Sequence, residues 1–190
     1  MSTNSHPMTL AVAPEPTDHF QGPEHAPVTL IEYGEFECPS CKVALQAPKL
    51  LLARFPNKIR FIFRHFPLEE AHPHALMAAE AAEAAGGQGL FWPMHDALFQ
   101  NQAHLKDRDL YRYAGELGLD LARYTAEMDD HIYLQKVREQ AAGGRRSHIR
   151  ATPTFFVDGV VQDISFGMEG LNHAVVAAVR RAPRKLTPPL

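Results

Sequence analysis

The order of periodicities along the chain constrains its fold more than any other feature. VTLIEYG, residues 28–34, is apolar and β-branched enough for a buried strand. In KIRFIFRHF, residues 58–66, Ile59, Phe61 and Phe63 alternate with Arg60, Ile62 and Arg64, the period of two of a second strand. Between them, FECPSCKVALQAPKLLLARF, residues 36–55, reads as a helix opening at or near Cys38. Pro39 suits the first helical turn, where a missing N–H needs no partner. Pro48 lies deeper, removes a backbone donor and crowds the preceding turn, so a kink is expected. Strand, helix and strand within about 40 residues make a βαβ unit, which implies a parallel pair with a right-handed crossover.

From about His72 to Arg150 the strand signal disappears. ALMAAEAAEAA is strong helix-former sequence, ended by GGQG at residues 86–89. FWPMHDALF resumes a helix, and DRDLYRYAGELG and DLARYTAEM predict two short ones. Asp107 and Asp120 serve as expected N-caps, with Gly118 as a stop. A last helix covers roughly Ile132 to Ala142, with Gly143-Gly144 at its end or inside it. TPTFFVDGVVQDI then returns to short apolar runs around Asp158-Gly159, a hairpin signal. EGLNHAVVAAVRRA closes the pattern as an amphipathic helix with Leu171, Val175, Val176 and Val179 on one face. The order is βαβ, a helical block, then ββα. The expected division is a polar, disordered tail at 1–17, one α/β unit made of 18–71 and 151–182, an inserted helical domain at 72–150, and a frayed tail at 183–190.

An apolar share of 45% in 190 residues is enough for a sizeable core. The net charge of -3 points to neither a nucleic-acid nor a membrane partner. No apolar run approaches the roughly 18–20 residues of a membrane span. The first 18 residues hold no Lys or Arg and only a short apolar patch, Met8 to Ala13, unlike a secretory leader. The expected location is cytoplasmic, where isolated structural disulfides are rare.

Both cysteines of the chain, Cys38 and Cys41, lie in CPSC at that helix start. A thiol attacks disulfides as the thiolate, and a helix N-terminus lowers its pKa from roughly 8.5. On this reading Cys38, turned to solvent among unpaired N–H groups, is the nucleophile, and Cys41, one turn deeper, resolves the mixed disulfide. The chemistry needs no metal or organic cofactor. Three other readings compete: half of a zinc site completed by His65, His72 or His74; two inert core thiols; or a structural disulfide. Zinc wants four ligands at spacings the chain does not offer. Closing a four-residue loop gains little.

Two distant features bear on the pair. Glu32 sits inside the first strand among apolar residues. Buried, it would have a raised pKa and could exchange protons with Cys41; at a solvated strand end it would do nothing of the kind. Thr152-Pro153 precedes the third strand. Its bond is either an ordinary trans proline or a cis one that presents the Thr152 backbone to an extended peptide. Among the remaining candidates, Trp92 and His95 read as packing residues, His65 as structural, and Arg145, Arg146 and Arg150 as a solvated helix end. Tyr33 and Phe36 are expected to form part of an apolar surface around Cys38.

DHFQGPEHAPVTLIEYGEFECPSC, RFIFRHFPLEEAHPHA, FWPMHDALF and ATPTFFVDGV together resemble the DsbA-like thioredoxin-fold oxidoreductases, in particular the branch without a signal peptide. The likeness runs over about residues 18–181. It implies a thioredoxin fold with an inserted helical domain, an exposed nucleophile at Cys38 and a buried partner at Cys41. It also implies a cis Pro153 packed opposite the CPSC motif with Thr152 beside the sulfurs, and Glu32 at the family's buried acidic position. Pro39 and Ser40, between the cysteines, and Thr152-Pro153 would border the substrate. The implied partners are protein or small-thiol disulfides and an unidentified electron donor. Two departures stand out. Ser40 occupies a place where the periplasmic oxidants carry a histidine that stabilises the thiolate, and Glu35 and Glu37 would oppose one, so a less oxidising pair is expected. Pro48 is seven residues after Cys41 rather than about five, which displaces the kink. Two rival functions remain, a non-enzymatic peptide-binding or chaperone module using the same groove and a metal-binding module using the two cysteines.

Overall fold

The computed structural model describes residues 8–182. The frayed tail expected at 183–190, and residues 1–7 of the expected N-terminal tail, lie outside the described residues. Strand β1 (His19–Gln21) is followed by β2 (Val28–Gly34), helices α1 (Pro39–Ala44) and α2 (Gln46–Arg54), and strand β3 (Ile59–His65). Five helices come next: α3 (Ala75–Gly86), α4 (Phe91–Gln100), α5 (Asp107–Glu116), α6 (Leu121–Asp129) and α7 (Leu134–Arg146). The chain ends in β4 (Thr154–Val157), β5 (Val160–Gln162) and α8 (Glu169–Arg181). The sheet order is β1-β3-β2-β4-β5. Only β2 and β3 run parallel; β4, β5 and β1 pair antiparallel. This is the expected α/β order, βαβ then ββα around a helical insertion.

Period two decides what each sheet face meets. Leu30 of β2, Phe61 and Phe63 of β3, and Phe155 and Val157 of β4 join one apolar cluster with Cys41, Leu51, Leu171 and Val175. Phe91, Met94, Leu98 and Phe99 of α4 belong to the same cluster. The inserted helices therefore share the core of the sheet rather than building a separate one. Ile31, Tyr33, Ile62 and Phe156 point the other way, onto Phe66, Ala141 and Ile149.

Pro48 has the expected effect. The helix that follows Cys38 breaks at Leu45, one turn before the proline, into α1 and α2. Asp120 caps α6, accepting from the Arg123 N–H at 3.1 Å. Asp107 is not a cap: Lys106 holds that place, and Asp107 lies in the first turn of α5, where its charge suits the helix dipole. Asp158 and Gly159 turn the β4–β5 hairpin with φ of 48° and 81°. Helix α7 runs through Gly143 and Gly144. On α8 the buried face is Leu171, Val175 and Ala178, with Val179 only partly covered.

The expectation of a disordered tail through residue 17 fails for residues 8–17. Thr9 bridges to Val160, the Leu10 N–H donates to the Gly159 carbonyl, and the Ala11 N–H donates to Ser147 Oγ. Arg64 of β3, 2% exposed, donates to the carbonyls of Val12 and Ala13 and to both carboxylate oxygens of Asp18. A buried guanidinium with five donors requires such partners, and the N-terminal segment supplies them.

Candidate active site

The site forms where β2 runs into α1. Cys38 is the N-cap of α1 in extended conformation, with Pro39 at the first helical position and both Pro39 and Ser40 exposed. Cys41, one turn on, is 0% exposed. Cys38 is 5% exposed, so the sulfur expected to face solvent freely is nearly covered. Its cover includes Thr152, whose carbonyl lies 3.4 Å from Cys38 Sγ. The Thr152–Pro153 bond is cis, and both residues are buried against the motif. Tyr33 and Phe36 are fully buried and form no surface around Cys38; Phe36 packs on Phe63, His95 and Phe99 instead.

The electrostatics separate the two thiols. Cys38 is held down to about 5, first by a hydrogen bond from the Cys41 thiol, then by the Thr152 side chain and the N–H groups of Cys41 and Ser40, against the cost of its burial. Thr152 Oγ1 is a buried hydroxyl with no hydrogen-bond partner among the described residues. Cys41 moves far the other way, pushed up by burial, by its bond to Cys38 and by the charges of Glu32 and Cys38. Glu32 is 3% exposed on the core face of β2. Burial, then the Cys38 charge, raises its carboxyl to about 8. A small cavity lined by Glu32, Lys49, Trp92, His95 and Asp96 reaches it from the Lys49–Asp96 ion pair. Trp92 and His95 are otherwise packing residues: Trp92 Nε1 donates to the Phe20 carbonyl, and His95 is buried among aromatic rings.

Glu35 and Glu37, expected to oppose a thiolate, are both paired. Glu35 bonds His72 Nδ1 and accepts the Glu37 N–H at 3.0 Å. Glu37 accepts from the His74 N–H at 2.7 Å and pairs with its Nδ1 at 2.8 Å. Burial raises Glu35 to about 7 despite these bonds. His65 binds Glu83, 3.1 Å away. The three histidines of the zinc reading thus face carboxylates rather than the cysteines. Arg145, Arg146 and Arg150 lie exposed at and beyond the end of α7.

Sequence reasoning missed the clasps that hold this loop. EFE at 35–37 and HPH at 72–74 place complementary groups at the same spacing of two, a signal present but unread. Gln102, just past α4, donates through Nε2 to the carbonyls of Phe36 and Cys38, at 2.9 and 2.8 Å. No pattern in the sequence marks it.

A parallel βαβ half, an antiparallel ββα half, a dithiol at a helix start and a cis proline facing it define a thioredoxin-type protein with a DsbA-like helical insertion. The sequence pattern of the thioredoxin family matches residues 14–177, and the chain belongs to that family. It is 47% identical over 161 residues to a Na(+)/H(+) antiporter NhaA 1 of Salinispora arenicola, covering 85% of this chain and 24% of that one. It is 41% identical over 179 residues to the antiporter NhaA of Herminiimonas arsenicoxydans, covering 94% and 28%. The chain thus spans about a quarter of the length of these curated relatives. Among solved structures, oxidised BdbD of Bacillus subtilis superposes with a TM-score of 0.78 at 22% identity, over 90% of this chain and 98% of that one. A thioredoxin-like oxidoreductase of Silicibacter pomeroyi gives 0.76 at 25%, over 88% and 95%. Wolbachia pipientis alpha-DsbA1 gives 0.74 at 21%, over 88% and 94%.

Proposed function

We propose that the protein is a thiol–disulfide oxidoreductase working through Cys38 and Cys41. The Cys38 thiolate attacks a substrate disulfide. A bond forms between Cys38 and one substrate sulfur, and the other leaves as thiolate. Forming the mixed disulfide removes the Cys38 charge that helps keep Glu32 protonated. Glu32 releases that proton to solvent, takes the Cys41 proton as a carboxylate, and Cys41 attacks the Cys38 sulfur, releasing the second substrate thiolate. The substrate gains two electrons and the protein is left as the disulfide; the reverse sequence oxidises a dithiol. Thr152, Pro153, Pro39 and Ser40 border the approach to the sulfur. The observation that carries this reading is the division of labour within one turn of helix, with Cys38 held near 5 and Cys41 far above its ordinary value beside a protonated Glu32. Catalytic thiols of this fold span roughly 3.5 to 7, the lowest belonging to strong oxidants. With Ser40 in the motif and Cys38 inside that span, the proposed pair is a moderate one that reduces substrates in a reducing compartment such as the cytoplasm, given an electron donor. The antiporter relatives carry a matching segment within a longer chain, which makes a membrane transporter of that kind the first protein to look for among trapped substrates.

Dithiothreitol-driven reduction of insulin disulfides is the test. The wild type should speed precipitation of the insulin B chain, and Cys38→Ser should do no better than dithiothreitol alone. Equal rates for the two proteins would sink the redox reading and leave a peptide-binding module in its place.

A further inference from the structure

Among the described residues, Gln102 is the one side chain of the inserted helical block that hydrogen-bonds the backbone of Cys38, and its single amide nitrogen makes two bonds, 2.8 Å to the Cys38 carbonyl and 2.9 Å to that of Phe36. Its own place is fixed from both sides. Asn101, the C-cap of α4, donates its Nδ2 to the Ala97 carbonyl. The His104 N–H donates to the Asn101 carbonyl at 2.7 Å, and the His104 carbonyl accepts Tyr113 Oη–H. Leu105 then anchors the turn in the core. A long polar side chain held by a braced turn loses little additional freedom when it binds.

The two carbonyls are not arbitrary. The Phe36 carbonyl shares a peptide plane with the Glu37 N–H, which donates to Glu35. That plane is thereby gripped at both ends, by Gln102 and by Glu35. The Cys38 carbonyl belongs to the peptide leading into Pro39, which has no N–H to hold its other end. Beyond Gln102, its bond comes from the Lys42 N–H, at a longer 3.3 Å. The amide therefore sets the orientation of the peptide that leaves Cys38, and with it the direction of Sγ toward Thr152 and Cys41. It also turns its N–H dipoles onto two backbone carbonyl oxygens of the Cys38 segment, and so offsets part of their negative charge near a developing thiolate.

We propose that Gln102 is a positioning residue that holds Cys38 in its thiolate-stabilising place from the inserted helical block. The proposal rests on the reading of Cys38 as the attacking thiolate. The titratable groups coupled to that sulfur are Cys41 from α1, Glu32 from β2 and Glu35 from the segment between them, which is itself paired with His72; the uncharged Thr152 before β4 lies against it, and Glu37 next to Cys38 is paired with His74. Gln102 adds no charge to this set, so its removal reads out placement and screening alone, whereas Gln102→Glu adds a carboxylate against two carbonyls.

The experiment is the pH profile of iodoacetamide alkylation at Cys38, read by peptide mass, for the reduced wild type, Gln102→Met and Gln102→Glu, with thermal melts alongside. The midpoint for Gln102→Glu should move up by about one unit, and that for Gln102→Met should move in the same direction by less. A one-unit move makes alkylation about five-fold slower at pH 5 and leaves it within about two-fold at pH 8. Midpoints unmoved in both variants, with or without a lower melting temperature, would overturn the role of Gln102 and leave the Cys38 reading intact. A wild-type midpoint at the ordinary thiol value would overturn both.

Discussion

At the scale of single residues, Glu32 is where the site is electrostatically most costly. Its carboxyl rises from an ordinary 4.5 to about 8, chiefly through burial. Between those values the native state keeps a proton that the unfolded chain has released, so stability falls as pH rises through that window. Glu32→Gln removes this dependence. The variant should gain on the order of a few kcal/mol over the wild type at pH 8 and nothing near pH 4.5, as read by urea unfolding of the reduced protein. The same variant should slow resolution by Cys41, seen as longer-lived mixed disulfide at pH 7. Ser40 offers only a backbone N–H to the thiolate. Ser40→His brings a cation to the motif and should lower the Cys38 midpoint by about one unit, measured by thiolate absorbance against pH; an unchanged midpoint would remove Ser40 from the account of redox poise. Cys38, Cys41 and Glu32 were legible in the sequence because a CPSC motif at a helix start and an acid inside an apolar strand each carry their chemistry in residue type. Thr152 beside Cys38 was legible only through the family resemblance, because more than a hundred residues separate the two and no local pattern joins them, and the near-complete burial of Cys38 itself was not legible. The burial of Tyr33 and Phe36 likewise depends on which helices lie over each sheet face.

At the scale of elements, α7 shows how close packing overrides propensity. A Cβ on Gly144 would meet Phe66 at 2.6 Å and Tyr33 at 3.1 Å. Gly144→Ala gains about 1 kcal/mol of helix propensity but overpacks a core layer at a cost of about 1–3 kcal/mol. A net loss of stability in urea is expected, and a gain would show that α7 stands off from the sheet. The sequence pattern predicted β2 to β5, their hairpin and the proline break, because each rests on local period or on backbone chemistry. It missed β1: HFQ is a three-residue edge strand with no period to read, and its pairing with β3 depends on the partner. The cap of α5 fell one residue early for a similar reason, since an acidic residue is favoured both at the cap and in the first turn.

At the scale of the whole molecule, Asp18 and Arg64 tie the N-terminal segment across the second face of the sheet. Asp18→Ala leaves a guanidinium uncompensated in the interior and should cost about 3–5 kcal/mol, measured by urea unfolding; a loss below about 1 kcal/mol would mean that water replaces the carboxylate. This tie was invisible in the sequence, where a polar stretch rich in proline resembles a free tail. The inserted block was legible as helices but not as part of the same core, which only the α4 residues packed beneath Phe63 reveal. The shared core and the Gln102 bonds together join the insertion to the Cys38 segment. What the whole arrangement exists to do, on this account, is to form a transient disulfide at Cys38 and release it through Cys41. The most direct measurement is intact-protein mass after mixing a Cys41→Ala variant with a disulfide-bonded peptide. The expected result is a stable adduct of one peptide-strand mass on Cys38, released by dithiothreitol and absent from Cys38→Ser. An adduct that forms equally without Cys38, or no adduct on either protein, would contradict it.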